Sequence, residues 1–308
     1  MKHILDKIKE YNKIIIHSHI RPDGDAIGSQ FGLMYLIKNS FPEKEIYITG
    51  DNSEYLSFMG NIEKVEENFF EGALSICLDC GNPDRLSDNR YNLSDYSIKI
   101  DHHFDSENYT DYSYVDAKAA STTEIITEFY NNFKDELIMD ERCATSLYLG
   151  ILTDTGRFAH PNVTSKTFKM ASHLLENGVD VLDLNNKLGL EIENLVRLKG
   201  HILENFKVSK NGFAYFVISK EIINKYNVSE EDASSLITCI SNLKECTIWA
   251  LIIETDTNYR VRLRSRNIAI NDIAKKYNGG GHKLASGCFL ENLSELDNLI
   301  KDIDEILK

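Results

Sequence analysis

Within the first 156 residues, four separate apolar runs each stop at aspartate or histidine, and this repetition constrains the fold more than any other feature of the chain. KIIIH at 13–17 runs into HSHIRPDGDAIGS, and LSICLD at 74–79 ends on Asp79. SIKID at 97–101 runs into His102 and His103, and the helically spaced ATSLYLGIL at 144–152 runs into Thr153, Asp154, Thr155 and Gly156. A carboxylate placed directly after a buried run is costly unless it is paired or bound to a cation. An open α/β sheet gathers such positions, because the C-terminal ends of its strands converge on one crevice.

The rest of the first half fits that architecture. A helical stretch from about Asp25 to Lys38 separates the first run from EIYIT at 45–49, and YSYVD at 112–116 adds a further strand. Strands alternating with helices point to an α/β domain with a mostly parallel sheet. From Ala119 to about His201 the apolar spacing is helical. Beyond Phe206 strands return in pairs, NGFAYFVIS at 211–219, then IWALIIETDT and YRVRLRS between 248 and 265, which reads as a smaller α+β domain. The expected division is 1–190 for the first domain, 191–206 for a helical connector and 207–308 for the second domain, with the active-site cleft between the two domains.

Bulk properties narrow the function. The 308 residues carry 34 basic and 48 acidic side chains, a net charge of −14, so a broad grip on long nucleic acid is not expected and any nucleic acid partner is short. The six cysteines are scattered rather than set as a disulfide framework, which suits a reducing compartment. MKHILDKIKE mixes charges into an amphipathic helix and lacks a signal peptide's apolar core, and no apolar run approaches a membrane span, so the expected location is the cytoplasm. A homodimer is left open.

The crevice would hold His19, Asp23, Asp25, Asp79, His102 and Asp154. Taken alone, HSHIRPDGD also fits an acidic turn with Asp25 as a helix N-cap. Pro22 and Gly24 suit that turn, and Gly28 and Ser29 suit close backbone packing or an anion at the helix start. Six imidazole and carboxylate groups exceed what one catalytic ion takes, and a pair of ions needs one carboxylate to bridge them, for which Asp79 is the candidate. Oxygen and nitrogen donors without thiolate favour Mn²⁺, with Mg²⁺, Co²⁺ or Zn²⁺ compatible. Adjacent histidines on an extended segment point in opposite directions, so one metal ligand and one phosphate contact is the natural split for His102 and His103. Cys77 and Cys80 flank Asp79 without a helix start, which favours packing over thiol chemistry. Ser121 and Thr122 could cap a helix or line the crevice, and His17, His173 and His201 read as structural or surface residues.

In the second half, Gly279, Gly280 and Gly281 would let backbone N–H groups approach an anion, with His282 at its edge. Arg262 and Arg264 lie two apart on a strand and share one face, where they could grip a phosphate. Arg260 and Arg266 would join that face only if the strand runs that far.

HxxxDxD, a strand-ending Asp, Asp-His-His and TDTG, in this order, resemble the motifs of the DHH-family phosphoesterases across the whole first domain. VRLRSR at 261–266 followed by NGGGHKLASG at 278–287 resembles the DHH-associated C-terminal domain of the first type. The resemblance implies that His19 and Asp23 bind one metal, that Asp25, His102 and Asp154 bind the other, and that Asp79 bridges. It further implies that Asp101 holds the histidines, that His103 contacts the scissile phosphate, and that Arg262, Arg264, Gly280, Gly281 and His282, with Ser121 and Thr122, meet the substrate. Family members of this length and layout are oligoribonucleases that shorten RNA fragments of a few nucleotides, often also removing phosphate from 3'-phosphoadenosine 5'-phosphate. Cyclic-dinucleotide or linear dinucleotide phosphodiesterases are the main alternative. Family II inorganic pyrophosphatases share the metal motifs, but GGGHKLASG argues against them. A non-catalytic binder is disfavoured by the intact ligand set.

Overall fold

The computed structural model of the chain describes residues 1–104 and 106–308, which fall into two units, Met1–Gly189 and Leu190–Lys308. The first unit is built on five strands, β1 (Lys13–His17), β2 (Glu45–Thr49), β3 (Ala73–Leu78), β4 (Tyr96–Asp101) and β5 (Tyr112–Val115), in the order β2-β1-β3-β4-β5. All four pairings are parallel. Sheets of this kind are covered on both faces, which is why their strands read as continuous apolar runs rather than alternating ones. β3 is buried at every position.

Register sets the site. His17 lies opposite Thr49 on one side and Cys77 on the other, and Leu78 lies opposite Ile100. The segments that follow β1, β3 and β4 therefore leave the sheet at one edge. Helices α1 (Lys2–Glu10), α2 (Gly24–Ser40), α3 (Thr122–Asn132), α4 (Glu141–Asp154), α5 (Ser165–Glu176) and α6 (Val181–Gly189) complete the unit. Every α2 residue from Gly24 to Leu33 is buried, as a helix enclosed on all sides must be. A methyl group at Gly28 would stand 2.4 Å from the Ser146 carbonyl oxygen, so glycine there lets α2 and α4 touch backbone to backbone.

The second unit has a six-stranded mixed sheet, β10-β11-β9-β8-β7-β6. Its strands are β6 (Lys207–Val208), β7 (Phe213–Ile218), β8 (Ile248–Glu254), β9 (Tyr259–Ser265), β10 (Gly280–His282) and β11 (Ala285–Leu290). Only β7 and β8 pair in parallel. One core on this sheet gathers residues of α7 (Glu193–Asn205), α8 (Lys220–Tyr226) and α9 (Glu230–Ser235), and the opposite core gathers those of α10 (Asn271–Lys276) and α11 (Leu296–Ile306). Helix α7 spans the stretch set apart in the sequence as a connector, and it buries Leu198 and Ile202 in the first of these cores. No helix among the described residues is long and apolar enough to cross a membrane.

Candidate metal centre

Asp23, rather than Asp25, caps α2: its carboxylate accepts from the N–H groups of Asp25 at 3.0 Å and Ala26 at 3.1 Å. The N-cap reading of Asp25 is thereby corrected. Asp25 sits in the first helical turn, 1% exposed, with its carboxylate turned to the start of α3. There it accepts from the N–H of Thr122 at 2.6 Å, the N–H of Thr123 at 3.0 Å and the Thr123 hydroxyl at 2.6 Å. Two backbone donors at a helix N-terminus are a natural seat for a carboxylate. Ser121 caps α3 by accepting from Glu124 N–H, while the Thr122 hydroxyl donates to Asp79 at 3.1 Å.

Asp79 follows β3 directly with φ of +54°, a left-handed conformation that a short polar side chain tolerates better than most. Its N–H donates to the Ile100 carbonyl, which ties the turn to β4. The side chain is 3% exposed and presents its oxygens in two directions. Oδ2 lies 3.5 Å from His19 Nε2, while Oδ1 lies 3.5 Å from His102 Nε2 and 3.7 Å from His103 Nδ1.

Around those two oxygens the donors divide into sets. His19, Asp23 and Asp79 form one, with His19 Nε2 3.9 Å from Asp23 Oδ1. Asp25, His102 and Asp154 form the second, with His102 Nε2 3.4 Å from Asp154 and 3.9 Å from Asp25. Asp79, His102 and His103 form a third grouping. Donor separations of this size are too long for direct hydrogen bonds. At 3.4–3.9 Å they lie near or slightly above the spacing of ligands about a cation, whose bonds of about 2.0–2.2 Å place neighbouring donors about 3–3.5 Å apart. The tautomer agrees: His19 Nδ1–H donates to the Ile20 carbonyl at 2.8 Å, so once the ring is neutral its Nε2 lone pair faces Asp79 and Asp23. The residues present therefore fit a pair of divalent ions.

The expectation that His102 and His103 diverge assumes that the strand continues, but β4 ends at Asp101, so both rings reach Asp79. Their centroids are 4.8 Å apart. Asp101 is fully buried and accepts from His103 Nδ1 at 2.7 Å and from its backbone N–H at 3.2 Å. Behind it, the Ser106 hydroxyl donates to the second Asp101 oxygen, and the ammonium of buried Lys99 donates to Ser106 at 2.7 Å. Sequence reasoning missed Thr123, Lys99 and Ser106. A lysine in the middle of an apolar strand was the one available signal, since such a charge requires a partner.

Electrostatics bind the cluster together. Burial opposes ionisation of Asp79, yet the facing His102 and His19 rings hold its carboxyl far below the usual range. Burial likewise disfavours a charged His19 ring, but Asp79 and the Ile20 carbonyl carry it up to about 9. His102 is raised in the same way against its burial, through Asp79, Asp25 and Asp154. Burial and the facing carboxylates of Asp79 and Asp154 push Asp25 well up. Burial also raises the Cys77 and Cys80 thiols, the second to about 11, as packing residues require.

In the second unit, Arg260, Arg262 and Arg264 alternate with buried Val261 and Leu263 and share one face of β9. Arg266 lies past the end of β9 and holds the Ser241 and Leu243 carbonyls, both at 2.7 Å. Arg260 pairs with Glu231, and Arg264 donates to the Leu263 and Ser286 carbonyls. Arg262 has no hydrogen bond or ion pair among the described residues. In register beside it on the β11 side stand Gly287 and then Gly280, so no side chain neighbours the guanidinium on that side, while Leu251 of β8 stands on the other. Gly281 has φ of +129°, and a Cβ there would stand 2.8 Å from the Ala285 oxygen. His282 closes β10 and is exposed.

Comparison with known proteins bears on both units. The DHH family, N-terminal domain, matches residues 13–151, and the DHHA1 domain matches residues 210–308. A Streptococcus mutans protein named probable bifunctional oligoribonuclease and PAP phosphatase NrnA is 41% identical over 308 residues, spanning 100% of this chain and 99% of that one. The Bacillus subtilis bifunctional oligoribonuclease and PAP phosphatase NrnA is 38% identical over 306 residues, spanning 99% and 98%. The crystal structure of an exopolyphosphatase-related protein from Bacteroides fragilis superposes with a TM-score of 0.86 at 25% identity, covering 99% of this chain and 96% of the other. Identity at this level over whole lengths, on the same pair of domains, means that the chain belongs to the DHH family of phosphoesterases.

Proposed function

We propose that this protein hydrolyses short RNA oligonucleotides to mononucleotides and 3'-phosphoadenosine 5'-phosphate to AMP, using two divalent cations, Mn²⁺ by preference, in the cytoplasm. One observation carries the two-cation reading: the two oxygens of Asp79 face separate imidazoles, each in its own donor set. The substrate class rests on the names of the full-length relatives.

In this reading His19 and Asp23 hold one ion, Asp25, His102 and Asp154 hold the other, and Asp79 bridges them. Such a pair, when bound, activates water and offsets the charge that develops on phosphorus. The remaining work belongs to the side chains. Asp101 hydrogen-bonds His103 and raises its pKa, chiefly through this bond, which favours the charged ring and leaves its free edge to donate to a non-bridging phosphate oxygen. Ser121 and Thr122 fix the start of α3 against Asp25 and Asp79 and line the site. Arg262 and Arg264, with the backbone of Gly280 and Gly281 and the ring of His282, take further phosphate or sugar groups of the substrate.

The test is a panel of di- to pentaribonucleotides, 3'-phosphoadenosine 5'-phosphate, cyclic dinucleotides and pyrophosphate, each with Mn²⁺ and with EDTA. Turnover of the first two groups only in Mn²⁺ is expected. Exclusive turnover of cyclic dinucleotides or of pyrophosphate would replace the proposal. Asp79→Ala should reduce kcat on the order of 10³-fold, as loss of a transition-state charge contact does, and should lower bound metal measured by mass spectrometry. Near-normal turnover in that variant contradicts the bridging role.

A further inference from the structure

The edge of the second sheet carries an opening that the phosphate chemistry does not use. Strand β6 pairs with β7 only at Lys207↔Tyr215 and Val208↔Ala214, whereas β7 pairs with β8 over its whole length to Ile218. Successive residues of a strand turn their N–H and C=O to opposite edges. The Phe213 carbonyl accepts from Ser209 N–H on the β6 side, at 2.8 Å, so Tyr215 and Val217 present their backbone groups to that side too. Opposite Val217 there is no strand left, because Asn205 is the last residue of α7 and Phe206 N–H closes that helix on Ile202. Among the described residues, no backbone or side-chain group bonds to the Val217 N–H or C=O.

This orphaned pair floors a cavity of 630 Å³. His201, Phe216 and Ile222 wall it on one face of the sheet, and Tyr215, Leu293 and Leu296 wall it on the other. His201 meets the Phe216 ring edge-on at 87°, with centroids 5.6 Å apart. Asn205, Lys207 and Asp297 stand at the polar part of the lining.

We propose that this cavity binds a nucleobase, carried on a nucleoside or mononucleotide, through residues that belong to no part of the metal centre. A donor beside an acceptor on one ring edge is what adenine, cytosine, guanine and uracil share, and it complements the N–H and C=O of a single extended residue. A ring lying in the plane of the sheet would have its two faces against the two apolar walls. The size lies within the 300–1,000 Å³ common for small-molecule sites, which combine apolar walls with few polar anchors. An extended peptide suits the site less well, because strand addition draws on a row of main-chain bonds. Here β7 offers one residue before Ser219 caps α8.

The experiment is calorimetric titration of the EDTA-treated full chain with adenosine, guanosine, cytidine, uridine and AMP, with ribose and a blocked trivaline peptide as controls. Saturable binding of at least one nucleoside is expected. Leu293→Trp, which fills the mouth at a residue 43% exposed, should weaken that binding about tenfold or more while leaving kcat on a ribodinucleotide unchanged. Ile222→Trp, from the opposite wall, should do the same, so misfolding of one variant leaves the other decisive. Arg262→Ala should bind the nucleoside as the parent does. Absence of saturable nucleoside binding, equal affinity in both tryptophan variants, loss of affinity in Arg262→Ala, or binding of the peptide instead would each overturn the proposal.

Discussion

Asp79 is held by a left-handed backbone, by a bond from its N–H to β4 and by the Thr122 hydroxyl, so its carboxylate has little freedom to choose a direction. Such restraint is what a bridging ligand needs, since donor atoms must be in place before the ions arrive. In the absence of ions the positive charge in the cluster comes from His19 and His102. Raised imidazoles stabilise the metal-free fold fully below their ordinary value of 6.5, and that contribution is lost as pH rises through about 9. Because a ligating imidazole must be neutral, metal binding near pH 8 should release protons from these rings. Calorimetry of Mn²⁺ binding in buffers of different ionisation enthalpy measures this release, and a heat independent of buffer would contradict it. At the other unit, Arg262 carries a guanidinium without a partner among the described residues, so Arg262→Ala should raise KM for nucleotides roughly tenfold with a smaller change in kcat. Metal content should not change, and its loss would argue against a role confined to substrate binding.

The decisive contact between elements is the crossing of α2 and α4. Asp25 leaves α2 and Asp154 ends α4, so the second donor set exists only if these helices lie close together. Glycine makes that approach possible on both sides. A Cβ at Gly28 would press on the Ser146 oxygen, and one at Gly150 would stand 2.4 Å from the Thr123 hydroxyl and 2.6 Å from Asp25 Oδ1. Gly150→Ala should therefore cost about 1–3 kcal/mol of stability, as overpacking does, and should also weaken metal binding by displacing Asp25. Paired urea unfolding and metal titration would check this, and an effect on stability without one on metal affinity would separate the two roles. The α3 N-terminus works in the same direction, since its two N–H groups fix the position of the Asp25 carboxylate, although burial and the facing carboxylates still raise its pKa.

Across the whole molecule, the candidate metal ligands and the arginine ladder belong to different units with different cores. A ligand that binds only the folded state stabilises what it binds. Mn²⁺ should therefore raise the unfolding temperature of the Met1–Gly189 unit by several degrees and leave the Leu190–Lys308 transition in place. Scanning calorimetry of the full chain with Mn²⁺ and with EDTA checks this, and a single transition moving as one would show that the units unfold together.

The clustering of the candidate metal centre was legible in the chain itself, because a strand that must be buried on both faces is written as an unbroken apolar run, and the polar residue that ends it marks where the sheet stops. Parallel pairing then aligns those ends, so His19, Asp79 and His102 could be grouped from order alone. The partners that hold them were not legible. Thr123, Lys99 and Ser106 act across gaps of 98, 7 and 5 residues on Asp25, Ser106 and Asp101, through bonds that depend on where α3 and the segment after β4 come to rest. The inward turn of both His102 and His103 depended on β4 ending at Asp101, and the empty place beside Val217 depended on α7 finishing one residue before a strand could have begun. Local periodicity encodes which residues are buried. Which polar atom meets which is decided by how elements and the turns between them come to rest, across gaps both long and short.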